Sequence, residues 1–264
     1  MANVQKTTTT VTMVGAGPGD PELITIKGVK AIQKADVILY DALASEELLE
    51  FAKSSCKRVY VGKRKGKKEF SQEEINQLIV FYAQRYTNVV RLKGGDSYVF
   101  GRGHEELEYA MRRGIHVEVI PGLSSALAAP ASCGIPLTKR GVNESFWVIT
   151  GMLSSGEMSK DIALAVQSSA TVVILMGMTH LEQIARLFQQ GRSPLEPAAV
   201  VHHATTRNQK VVRGTVSTIY QLVQEQQVSS PAVIVIGNVV NESYLLDEFT
   251  ERYIQTASVT SHQK

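Results

Sequence analysis

The chain has 264 residues, 44% hydrophobic and 20% charged, with a formal net charge of +3. That length allows one large domain or two small ones with real cores, and so small a net charge implies no general affinity for nucleic acid. Two distant cysteines, Cys56 and Cys133, give neither a disulfide framework nor a zinc spacing, and no apolar run approaches the roughly 18 residues of a membrane span, so a cytoplasmic globular protein is expected.

In chain order, a polar start with the run Thr7–Thr10 reads as a disordered tail over residues 1–10. The apolar run Val11–Val14 then enters Gly15, Gly17 and Gly19, and an amphipathic segment follows. This pattern predicts a strand, a tight glycine loop and a helix, which brings backbone close to a ligand. The spacing is not the G-x-G-x-x-G of dinucleotide sites, and Pro18 removes an amide that a pyrophosphate would need, so NAD is disfavoured. Further strands are expected at Val37–Leu39, Arg58–Val61, Val89–Leu92, Val117–Ile120 and Phe146–Ile149. Helices are expected at Ser71–Gln84, where Ser71 and Glu74 suit a capping box, and at His104–Arg113, acidic early and basic late with Gly114 as its stop.

Past Pro136–Asn143 the pattern restarts with strands at Val172–Met176, Ala198–His202, Val211–Gly214 and Ala232–Ile236, and helices near His180–Gln190 and Ser217–Gln226. The strands 198–202 and 211–214 flank a short polar turn, which predicts a hairpin and a mixed sheet. The fold class is therefore α/β, as two α/β domains, residues 11–140 and 141–248, with a disordered tail at 256–264. Ligands in such folds sit at the carboxyl ends of strands and at domain interfaces, so a cofactor cleft between the domains is expected.

Three loops follow three strands of the first domain. Besides the glycine loop, Gly94-Gly95-Asp96 follows Val89–Leu92, its amides able to approach a ligand and Asp96 able to accept from hydroxyl or ammonium donors. Pro121-Gly122-Leu123-Ser124-Ser125 follows Val117–Ile120 and puts two hydroxyls at the start of the small-residue helix Ser125–Ala131. Each loop alone is ordinary turn chemistry; together they point to a ligand site. Asp41, Lys63 and Arg102 also fall just after strands, and Glu105 lies in a first helical turn where it serves the dipole.

Lys57–Lys68 carries seven basic residues and no acidic one. With only Tyr60 and Phe70 as nearby aromatics it offers little base-stacking surface, and a compact polyacid suits it better than a nucleic acid. His202 and His203 are neighbours on a strand, expected to point to opposite faces and unable to share an ion, so no metal site is expected. Ser124 and Ser125 lack the G-x-S-x-G elbow of a hydrolase.

Val14-Gly-Ala-Gly-Pro-Gly-Asp-Pro-Glu-Leu-Ile-Thr-Ile-Lys-Gly28, Tyr40-Asp41, Gly62-Lys63-Arg64, Val90-Arg-Leu-Lys-Gly-Gly-Asp96, Phe100-Gly-Arg-Gly103 and Pro121-Gly122 resemble the motifs of the tetrapyrrole methylases. Ile135-Pro-Leu-Thr-Lys-Arg-Gly141, Leu175-Met-Gly177 and Ser230-Pro-Ala-Val-Ile-Val-Ile-Gly237 extend the likeness, which runs from about Val11 to Leu246. The resemblance implies a homodimer using S-adenosylmethionine (SAM), and two methylations of uroporphyrinogen III, at C2 and C7, to give precorrin-2 for sirohaem or cobalamin-type biosynthesis. It implies cofactor contacts at Pro18, Gly94, Gly95, Asp96, Val99, Ser124, Ser125, Met176 and Ala204, and catalytic roles for Asp41, Lys63, Arg102 and Glu105. Asp41 and Glu105 both stand as candidates for the base, and Arg102 is better suited to anchor a substrate carboxylate. A methyltransferase acting on a later precorrin is the nearest alternative, and an NAD(P)-dependent oxidoreductase a remote one.

Overall fold

The computed structural model describes residues 9–62 and 70–242. The chain divides into two compact units, the first ending at Ser125 and the second beginning at Ala126.

The first unit is built on five parallel strands: β1 (Thr10–Gly15), β2 (Val37–Tyr40), β3 (Lys57–Tyr60), β4 (Asn88–Lys93) and β5 (His116–Ile120), in the order β3-β2-β4-β1-β5. Parallel strands buried on both faces read as continuous apolar runs, which is how Val11–Val14, Val37–Leu39 and Val89–Leu92 stand out in sequence. The helix α1 (Ile26–Lys34), capped by the Thr25 hydroxyl accepting from the Gly28 amide at 3.1 Å, covers one face. The helices α2 (Gln72–Ala83) and α3 (Gly103–Met111) cover the other. Because β1 leads towards β2 and β4 leads back towards β5, right-handed crossovers send their connections to opposite faces. Adjacent β1 and β4 thus form a topological switch point, where α/β sheets take ligands at the carboxyl ends.

The capping box is present: the Ser71 hydroxyl accepts from the Glu74 amide at 3.2 Å and the Glu74 carboxylate accepts from the Ser71 amide at 2.8 Å. Asp36 fastens the opposite end of the sheet, accepting from the Lys53 ammonium at 2.6 Å and the Asn88 amide at 2.9 Å.

The second unit carries a mixed sheet in the order β6-β7-β10-β8-β9, from β6 (Phe146–Thr150), β7 (Thr171–Leu175), β8 (Pro197–His202), β9 (Lys210–Thr215) and β10 (Ala232–Ile236). In this sheet only β6 and β7 pair in parallel, and β8 and β9 form the expected antiparallel hairpin. The helices α5 (Asp161–Val166), α6 (Leu181–Gly191) and α7 (Ile219–Glu225) bury one face around Phe188, Ile184 and Ile234. The other face packs against Ala126 and Ala129 of α4 (Ser125–Ser132), with Ile135, Val239 and Val240. That packing moves the division to 125/126 from the expected 140/141: the small residues of α4 leave its sequence neutral between domains, but its apolar side covers the second sheet. No helix among the described residues is long and apolar enough to cross a membrane. The tails expected to be disordered lie, apart from residues 9 and 10, outside the described residues.

Candidate active site

At the carboxyl end of the first sheet three loops meet backbone to backbone. The Gly17 amide donates to the Gly95 carbonyl at 3.2 Å and the Gly95 amide donates to the Gly17 carbonyl at 2.6 Å, a two-residue bridge across the switch point. A Cβ on Gly15 would lie 2.4 Å from the Gly122 nitrogen, and one on Gly122 would lie 2.3 Å from the Gly95 oxygen. No side chain fits there, so these glycines are required by loop-to-loop contact. The Gly95 amide, one of those in the loop expected to approach a ligand, is engaged by the Gly17 carbonyl.

Asp96 joins the same assembly. One carboxylate oxygen accepts from the Tyr98 amide at 2.8 Å and the other from the Gly122 amide at 3.0 Å, tying the loop after β4 to the loop after β5. Val99 is half-buried in the turn, its amide donating to the Asp96 carbonyl at 3.3 Å. Pro18 and Gly94 are half-buried at the rim, Ser124 is buried, and Ser125 opens α4.

Asp41 follows β2 and its carboxylate is 22% exposed. One oxygen accepts from the Leu43 amide at 3.2 Å; the other lies 3.3 Å from Arg91 Nη2 and 3.9 Å from Lys93 Nζ. Behind these cations is Glu106, fully buried, which accepts from Arg91 Nε at 3.0 Å, Lys93 Nζ at 3.0 Å and Gln72 Nε2 at 3.2 Å. Burial, and then the adjacent Arg91 cation, hold the Lys93 ammonium below the usual lysine range against the opposing pull of Glu106 and Asp41. Sequence reading missed Arg91, Lys93 and Glu106, although two cations two residues apart in a strand of Val and Leu was a signal: period two puts both on one face of a buried sheet.

Arg102 and Glu105 form a bidentate pair at 2.9 and 2.8 Å, both well exposed. Arg102 precedes α3 in the left-handed region, with φ at 58°. Phe100 is left-handed too, and the intervening Gly101 and the following Gly103 close on the Ser97 carbonyl, which a Cβ would strike at 2.6 and 2.7 Å. Lys63, and with it most of the basic run, lies outside the described residues. Of that run, Lys57 stands with its ammonium 5.2 Å from the centre of the Tyr82 ring.

In the second unit β7 and β8 both run antiparallel to the β10 between them, so their carboxyl ends share one edge. Met176 follows β7 with φ at 56° and is largely exposed; Ala204 follows β8, buried between His203 (φ 44°) and Thr205 (φ 66°). The expectation for the histidines is corrected: the left-handed turn at His203 brings the two rings to 4.3 Å, edge to face. Burial, and then His202, lower the His203 pKa. His202 Nδ1 donates to the Ser229 carbonyl at 2.7 Å, and the described residues contain no group of three or more His, Cys, Asp or Glu able to hold a metal ion.

Two α/β units, one with a glycine-packed switch point over a buried charged cluster, have the architecture of α/β proteins that take ligands at the carboxyl ends of their strands. Residues 10–220 match the family of Tetrapyrrole (Corrin/Porphyrin) Methylases, and the chain belongs to that family. It is 49% identical over 233 residues to the uroporphyrinogen-III C-methyltransferase of Methanocaldococcus jannaschii, covering 88% of this chain and 96% of that one. The crystal structure of the uroporphyrin-III C-methyltransferase from Thermus thermophilus complexed with S-adenosyl homocysteine is 39% identical and superposes with a TM-score of 0.74, over 88% of this chain and 98% of that one. A cobalt precorrin-4 methyltransferase superposes at 0.78 with 27% identity, over 88% and 95%.

Proposed function

We propose that the chain methylates uroporphyrinogen III at C2 and C7 with SAM, giving precorrin-2. The observation that carries this reading is the 49% identity to a relative so named, sustained over nearly the whole length of both chains. The precorrin-4 neighbour shares the fold at much lower identity, which favours the earlier substrate over a later corrin.

SAM supplies an electrophilic methyl group and carries no phosphate, which suits a loop without the dinucleotide fingerprint. Pro18, Gly94, Gly95, Asp96, Val99, Ser124 and Ser125 of the first unit, with Met176 and Ala204 of the second, are proposed to hold it. The fit at Asp96 rests on lone pairs: each oxygen accepts one backbone amide and retains capacity for a hydroxyl donor such as a ribose diol.

Asp41 is proposed as the group that accepts the proton the tetrapyrrole releases. Its carboxylate is half-buried and fixed on both oxygens, whereas Glu105 is exposed and engaged bidentately by Arg102. Arg102 directs two of its five N–H donors at Glu105, leaving others for a substrate carboxylate. Lys63 is proposed on the substrate side, with the basic run opposing the eight carboxylates of uroporphyrinogen. We further propose a cytoplasmic homodimer that needs no metal.

The test is anaerobic incubation with SAM and freshly generated uroporphyrinogen III, followed by mass spectrometry. Mono- and dimethylated products are expected. Measurable SAM binding with no methylated product would sink the reading, and turnover of a precorrin alone would replace it with the later-substrate alternative.

A further inference from the structure

Arg91, Lys93, Glu106 and Asp41 place two cations and two anions where the sheet is otherwise packed with Val, Leu and Ile. Arg91 is 2% exposed and Glu106 not at all. Taking such charges out of water is costly, and a well-packed apolar set of the same volume often stabilises a fold at least as well. Folding alone therefore gives little reason for this cluster.

Its geometry is directional. Strand register sets Leu39 beside Arg91, so the chain leaving β2 brings Asp41 alongside Lys93. From α3, Glu106 reaches back with one oxygen on Arg91 Nε and the other on Lys93 Nζ, the second also accepting from Gln72 of α2. Arg91 is held from two further sides by carbonyls, Leu92 at 2.9 Å and Leu39 at 3.5 Å. What remains of both cations faces Asp41, the member of the cluster nearest solvent.

We propose that Glu106 and Lys93 are positioning residues for Asp41: Glu106 anchors Arg91 and Lys93, and these two cations fix the orientation of the Asp41 carboxylate towards the tetrapyrrole. The inference rests on the reading of Asp41 as the group that meets the substrate. Neither Glu106 nor Lys93 need touch substrate or SAM. Their effect is on kcat, because a misplaced acceptor slows the step without loosening what holds the ligands.

The decisive variant is the charge-neutral, near-isosteric pair Lys93→Met with Glu106→Gln, in which the side-chain amide carbonyl at position 106 still offers Arg91 an acceptor. We expect a folded protein with a Tm near the parent's, SAM affinity by calorimetry and KM for uroporphyrinogen III each within about twofold, and kcat lower by roughly tenfold or more. A folded double variant with the parent's kcat overturns the proposal, since a purely structural cluster would behave so. A loss confined to KM or to SAM affinity overturns it equally. Should the double variant not fold, Glu106→Asp keeps the charge but shortens its reach: reduced kcat at unchanged KM supports positioning, and an unchanged kcat overturns it. Asp41→Asn separates the two claims. Inactive Asp41→Asn beside a parent-like double variant removes only the positioning role, whereas a fully active Asp41→Asn removes the reading of Asp41 and this inference with it.

Discussion

The carboxyl-edge loops of the two units use glycine contact and left-handed turns in different proportion: Gly151 against Gly177 is the second unit's glycine contact, and Phe100 and Arg102 are left-handed in the first. In the first, Gly15, Gly17, Gly95 and Gly122 let three loops touch backbone to backbone. In the second, Met176, His203 and Thr205 turn the chain in the left-handed region although each carries a Cβ. Such residues cost of order 1–3 kcal/mol each and persist where the surroundings impose them, characteristically at ligand sites. A glycine loop can thus be justified by packing alone, while three strained non-glycine residues on one sheet edge ask for a function.

The difference can be tested by substitution, the largest effect falling in the first unit. Gly122→Ala puts a methyl group 2.3 Å from the Gly95 oxygen and 2.7 Å from the Gly15 Cα, where only backbone could yield. A destabilisation of about 3–5 kcal/mol is expected, with loss of SAM binding. A Tm within a degree or two of the parent's would show that these loops separate freely. Asp96→Ala comes next. It removes the acceptor for both the Gly122 and Tyr98 amides, so a loss of about 1–3 kcal/mol in stability should accompany weakened SAM affinity. Weakened affinity at unchanged stability would instead mean that Asp96 acts on the ligand alone.

These two regions also explain what could be read from the chain directly. Every strand among the described residues was visible, because a buried parallel strand is an apolar run and the β8–β9 hairpin shows its polar turn. The glycine loops were visible because glycine is itself the signal, though its cause was loop contact at Gly15 and Gly122 and a left-handed φ at Gly95. By contrast, α5 is only six residues and too short to show a period. The pairing of Glu106 with Arg91 and Lys93 joins residues 15 and 13 apart through tertiary structure, and no local pattern records it. Nor does any residue type announce a left-handed Met or Thr, so the strain at Met176 and Thr205, and the meeting of His202 with His203, had no signal to find.

The smallest prediction is a matched pair with opposite signs. Gly95 has φ at +65°, and a Cβ there would find its nearest atom at 3.9 Å, so Gly95→Ala introduces left-handed strain with almost no clash. It should cost about 1 kcal/mol, near 2–4 °C in Tm. Met176 has φ at 56° and is 45% exposed, so Met176→Gly relieves the same strain while giving up little packing. It should gain about 0.5–1 kcal/mol, reduced somewhat by the freer unfolded chain. If the strain at Met176 serves the methyl donor, SAM affinity falls as Tm rises, and the two measurements part in opposite directions. A Met176→Gly variant that loses both stability and affinity would mean that the side chain is held by packing, and the contrast between the two edges would collapse to one of contacts.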